Sequence, residues 1–224
     1  AMELIHGKSI RRLISENGRV STLQSLTICR DVARALAYVH KEGIVHRDLK
    51  PDNIIISDEP VANTVKIIDF GLVHLTETAE QKLTATNSLI GTVDYMSPEQ
   101  CAGKEVTALS DIYSLAVCLY EMLTGEKPFV ADNAIGMMYK QINTPPPHIS
   151  TQTVERYHPY LQELINTGLQ KDPQKRFESM DEFADLLDEC ITIVSNDKAA
   201  KPPKKNERVL KFALVGVLAI GLGA

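Results

Sequence analysis

One stretch constrains this chain more than any other: His46-Arg47-Asp48-Leu49-Lys50-Pro51-Asp52-Asn53, followed after a short gap by Asp69-Phe70-Gly71. Between the two runs lie Asn53-Ile-Ile-Ile and Val65-Lys-Ile-Ile, β-like segments separated by a loop containing Pro60 and Asn63, which predicts a small hairpin. Two carboxylates and an amide are thereby set on tight turns around that hairpin. Such a set suits the holding of Mg²⁺ on a nucleoside triphosphate while a carboxylate receives the proton of an attacking hydroxyl. Mg²⁺ prefers hard oxygen ligands, which Asn53 and Asp69 supply. Asp48 is then the expected general base, and Gly71 permits the turn that aims Asp69 inward.

Around this centre the pattern is helical. Leu23, Leu26, Val32, Ala35, Leu36 and Val39 recur at helical spacing, with Thr22 as the expected cap and Gly43 as the stop. Residues 72–99 are rich in Thr and Ser without periodicity and are predicted to be one long functional loop. Residues 112–123 are strongly apolar and end at Gly125 with Pro128 beyond, which predicts a buried central helix. Three further helices are expected over 133–142, 157–169 and 180–194.

The motifs together resemble a eukaryotic-like (Hanks-type) serine/threonine protein kinase of the bacterial transmembrane type, over roughly residues 2–194. The resemblance implies a mainly α fold, the C-terminal lobe of such a kinase, with short β-hairpins around the catalytic loop. It makes Asp48 the base, Lys50 the lysine on the transferring phosphate, and Asn53 and Asp69 the metal ligands. Ile55 is expected under the adenine, with Glu3 and Ile5 at the hinge that binds the adenine edge. His46 and Phe70 are expected to stack in the core. Gly91-Thr92-x-x-Tyr95-Met96-Ser97-Pro98-Glu99 resembles the end of an activation loop, where Thr92 favours Ser/Thr acceptors and Glu99 pairs with Arg176. Asp111 resembles a helix-cap residue that holds the catalytic-loop backbone, and Ala116 stands where the family has Gly. Arg47 is expected to pair with a phosphorylated activation loop, with Thr84 and Thr86 as the autophosphorylation positions. ATP and Mg²⁺ (or Mn²⁺) are the implied cofactors; Ser/Thr-bearing protein substrates and a homodimer are the implied partners.

Composition narrows the alternatives. The net charge is −5 even with a basic run at 198–211, so the rest of the chain is more acidic still, which argues against nucleic-acid binding, a process that rests on phosphate neutralisation. Four scattered cysteines without a Cys-x-x-Cys pair predict neither a zinc site nor a disulfide framework. Lys198, Lys201, Lys204, Lys205, Arg208 and Lys211 precede residues 212–224, which carry no polar side chain. At ~1.5 Å per residue that run reaches about two-thirds of a ~30 Å hydrocarbon core. The expected organisation is hinge and C-lobe over 1–194, a basic juxtamembrane linker over 195–211, and the start of a transmembrane helix over 212–224. It implies a single-pass protein of the cell membrane with its kinase domain in the cytoplasm. No Gly-x-Gly-x-x-Gly loop and no Val-Ala-x-Lys strand occur, so the chain alone is expected to be a fragment inactive without the smaller lobe. Two other readings carry forward: a membrane-tethered pseudokinase acting as a binding module, and a small-molecule phosphotransferase.

Overall fold

In the computed structural model, residues 5–58, 65–70, 93–149 and 158–196 are described. Gly7–Ser9 (β1) leads into helix α1, Ile10–Asn17, capped by the Ser9 hydroxyl; then comes α2, Thr22–Lys41. Ile54–Ser57 (β2) and Val65–Ile67 (β3) follow. The remaining helices are α3, Pro98–Cys101, α4, Ala108–Thr124, α5, Ala134–Asn143, α6, His158–Gly168, and α7, Met180–Asn196.

The strands form one antiparallel sheet in the order β1-β2-β3, with Lys8 opposite Ile56 and Ile55 opposite Lys66. The β2–β3 hairpin was legible from its apolar runs. The third strand was not, because Gly7-Lys-Ser carries no β pattern and forms only against β2. Ser21, rather than Thr22, caps α2: its hydroxyl accepts the Gln24 N–H at 3.4 Å. Residues 98–101 leave the expected long loop and form α3, where Ser97 and Gln100 make a reciprocal capping box.

Helix α4 is the axis of the lobe. All its residues from Ser110 to Leu123 are buried, as expected for a helix apolar on every side. It starts earlier than its apolar run, at the Thr107 cap, and ends at Gly125 with φ 80°. A side chain at Gly125 would be strained twice, by that φ and by the Gly18 carbonyl oxygen 2.2 Å from its Cβ. Helices α2 and α6 pack on α4, and Leu26, Leu36, Ile112, Leu119, Ile165 and Phe183 belong to the resulting core.

Ala116 lies in that core at the α4–α6 contact. A Cβ at Gly168 would stand 2.5 Å from the Ala116 Cβ, so the methyl group at 116 is accommodated because α6 ends in a residue without one. Gly168→Ala should therefore lower unfolding stability by about 1–3 kcal/mol, the usual cost of overpacking. Ala116→Gly in the same chain should relieve part of that loss. Urea unfolding of both single variants and the double variant checks the coupling; strict additivity would refute it.

Cys29, Cys118 and Cys190 are buried free thiols and Cys101 is half-buried. Burial raises all four thiols well above their ordinary value, Cys101 and Cys190 to about 12, so none is a ready nucleophile.

Candidate active site

The site is built on the chain between α2 and β3. Asp111 governs it from the first turn of α4. One of its carboxylate oxygens accepts the backbone N–H of His46 at 2.8 Å and the other that of Arg47 at 2.9 Å. The sequence reading made Asp111 a helix-cap residue that holds the catalytic-loop backbone; the loop contacts are those described, whereas the helix cap itself is Thr107. His40, at the end of α2, places its Nε2 2.8 Å from the same Asp111 oxygen that takes the His46 amide. A carboxylate 1% exposed thus has three donors around it.

With its amides anchored, the loop turns sharply. Arg47 has φ 68°, a left-handed conformation uncommon for a residue with a side chain. The turn puts the Asp48 carboxylate beside Lys50, whose Nζ donates to its Oδ2 at 2.7 Å. Asn53, in the Pro51–Asn53 turn ahead of β2, donates from Nδ2 to the Asp48 carbonyl at 2.8 Å and to Oδ2 at 3.3 Å. Both amide hydrogens of Asn53 are thereby turned toward Asp48, which leaves its oxygen for a hard cation.

The second carboxylate arrives from β3. The Ile68 N–H donates to the Asn53 carbonyl at 2.9 Å, and His46 Nε2 lies 3.1 Å from the Ile68 carbonyl oxygen. Phe70 sits against the His46 ring at 4.6 Å between centroids, tilted by 44°. These contacts hold Asp69, also left-handed at φ 54°, with an exposed carboxylate. The oxygens of Asn53 and Asp69 fit Mg²⁺ in kind.

A third layer ties the 93–101 segment to the helices. Glu99 and Arg176 form a two-pronged buried pair at 2.7 and 2.8 Å. Ser110 donates to Glu99 at 2.7 Å, and Arg176 also donates to the Leu109 carbonyl. Burial alone would raise the Glu99 carboxyl; hydrogen bonds and charge from Arg176, with Ser110, outweigh it and hold it below the ordinary value. Nearby, Tyr95 donates to Glu121 at 2.6 Å, and Arg11 of α1 bonds both Tyr95 and Glu121. The buried amide of Gln141 donates to the Asp94 carbonyl at 2.7 Å.

Of the residues the sequence singled out, His46, Asp48, Lys50, Asn53, Asp69, Phe70 and Asp111 converge here, with Arg47 within the same loop. Glu99 and Arg176 pair beneath the segment that follows residue 92. Ile55 lies half-buried in β2 opposite Ser9, and Ile5 is half-buried just ahead of β1. Glu3, Gly71, Thr84, Thr86 and Thr92 lie outside the described residues, as do the linker from 197 and the apolar run 212–224. Sequence reasoning missed His40, Arg11, Gln100, Glu121 and Gln141, and gave Tyr95 no role beyond its place in the 91–99 motif. Glu121 and Gln141 had a signal, a lone polar residue in an apolar helical register; Arg11 had none.

The sequence profile of the protein kinase domain matches residues 1–187. The chain belongs to the protein kinase domain family. The kinase domain is 39% identical over 183 residues to the serine/threonine-protein kinase PknA of Corynebacterium glutamicum, covering 82% of this chain and 37% of that one. It is 36% identical over 187 residues to PknB of Mycolicibacterium smegmatis, covering 83% and 29%. The chain thus spans about a third of the length of these curated relatives. Among solved structures it resembles the PknI kinase domain of Mycobacterium tuberculosis, with a TM-score of 0.63 at 23% identity, covering 84% of this chain and 64% of that one; this likeness shows the fold.

Proposed function

We propose that the chain is the large lobe of a serine/threonine protein kinase that transfers the γ-phosphoryl group of ATP to hydroxyls of protein substrates. The observation that carries it is the Asp48 carboxylate, bonded by Lys50 and Asn53, with the Asp69 carboxylate held nearby by β3 and His46. Asp48 orients the acceptor hydroxyl and receives its proton. Lys50, already within 2.7 Å of Asp48, follows the charge that develops on the transferring phosphoryl group. Asn53 and Asp69 would hold Mg²⁺, which neutralises charge on the triphosphate when bound. Ile55 contributes apolar surface for the base of the nucleotide.

The buried Glu99–Arg176 pair and the Tyr95–Glu121–Arg11 network support a protein acceptor over a small molecule, since both fix the segment after residue 92 from below. Arg47 supports activation by phosphorylation of Thr84 and Thr86: among the described residues its Nε is the buried side-chain nitrogen without a partner, and a phosphate oxygen would satisfy it. The basic run and the apolar residues 212–224 support a single-pass anchor that leaves this domain in the cytoplasm. Among the described residues no helix is long and apolar enough to cross a membrane.

The deciding experiment supplies γ-labelled ATP, Mg²⁺ and a protein acceptor to the full protein, with and without a chelator. Chelator-sensitive label on serine and threonine is the expected result. Nucleotide binding without transfer would overturn the reading in favour of a binding module. Label confined to a small-molecule acceptor would favour the third reading.

A further inference from the structure

Arg47, one residue before Asp48, sits at φ 68°, a conformation that persists in a residue with a side chain only where its surroundings enforce it. Asp111 grips this residue through the Arg47 N–H at 2.9 Å. The opposite grip comes from Gln100 of α3, whose Nε2 donates to the Arg47 carbonyl at 2.7 Å. The other end of the same amide is also committed: Gln100 Oε1 accepts the Ser97 N–H at 2.9 Å, while the Ser97 hydroxyl accepts the Gln100 N–H at 3.3 Å.

One side chain therefore closes the cap of α3 with its oxygen and reaches the loop beside Asp48 with its nitrogen. Only a carboxamide carries both a donor and an acceptor in that geometry; glutamate would keep the cap and lose the bridge. Helix α3 is itself rigidly seated, because the neighbouring Glu99 is pinned by Arg176 and Ser110.

We propose that Gln100 is a positioning residue that fastens the bent Arg47–Asp48 peptide to the end of the 93–101 segment, so that Asp48 takes its working orientation only when α3 is seated. This rests on the kinase reading above, with Asp48 as base. The bridge differs from the Glu99–Arg176 pair, which fixes α3 to the lower helices without touching the loop.

The test compares Gln100→Glu, Gln100→Met and Ser97→Ala in the full protein. Turnover should fall about tenfold in both Gln100 variants, since small misplacements of reacting groups are costly, with the KM for ATP unchanged. Hydrogen exchange at the Arg47 and Asp48 amides should quicken several-fold while the rest of the lobe keeps its protection. Ser97→Ala loses only the hydroxyl cap and should leave turnover within twofold of the parent. Unchanged turnover in Gln100→Met, or an equal loss in Ser97→Ala, would overturn the proposal. If the parent protein transfers no phosphate at all, the kinase reading falls, and exchange at Arg47 decides the bridge by itself: no quickening in Gln100→Met sinks it.

Discussion

Asp48→Asn should lower the rate of phosphoryl transfer by the full protein about 10²- to 10⁴-fold, the range in which a positioned general base contributes. The substitution is nearly isosteric, so the backbone contacts that shape the loop persist: the His46 and Arg47 amides still meet Asp111, and Asn53 still meets the residue 48 carbonyl. An amide oxygen can even accept the Lys50 ammonium. What disappears is the charge that draws the acceptor proton. The signature is thus a loss in kcat with nucleotide affinity and unfolding midpoint close to those of the parent. Steady-state kinetics alongside nucleotide titration and thermal melting provide the check. Activity retained within threefold would remove Asp48 from the role of base.

Arg176→Met should cost about 3–5 kcal/mol of stability, the usual result of leaving one partner of a buried pair without the other. Arg176 and Glu99 have side chains 0% and 6% exposed, so water cannot replace the lost guanidinium. The effect has a defined pH dependence. In the parent, the Glu99 carboxyl lies below the ordinary value of 4.5. It therefore stabilises the fold fully above pH 4.5 and loses that contribution as pH falls through the depressed value. In the variant the unpaired carboxyl is raised by burial, so its penalty is complete at neutral pH and fades as the group takes up a proton. The stability gap between the two proteins should be widest at neutral pH and narrow toward pH 4.5. Urea midpoints across that interval measure it, and a gap that widens on acidification would exclude the assignment.

Much of the site could be read because its chemistry is local. Asp48, Lys50 and Asn53 occupy one short run, and the hairpin that returns Asp69 to them is written in two apolar strands. The central helix was legible from its unbroken apolar composition, and its true start at Ala108 was not, because the polar Ser110 and Asp111 interrupt the apolar run. They are buried only since Glu99 and the loop amides arrive from elsewhere to bond them. The same holds for α3: Pro98–Cys101 is too short to have a periodicity, and it is a helix because Ser97 and Gln100 cap each other.

Sequence by itself determined the family, the run that carries Asp48, Lys50 and Asn53, and the helical character of the lobe, since these follow from residue type at fixed short spacing. Tertiary structure decided the rest of what holds that run in place, beyond the expected Asp111. His40, Gln100 and the Tyr95–Glu121–Arg11 network act across separations such as the 110 residues between Arg11 and Glu121. The physical reason is that a hydrogen bond or ion pair requires its partners within about 3 Å, and outside motifs that mark both partners, as for Glu99 and Arg176, residue type does not encode which distant polar group packing will bring to that distance.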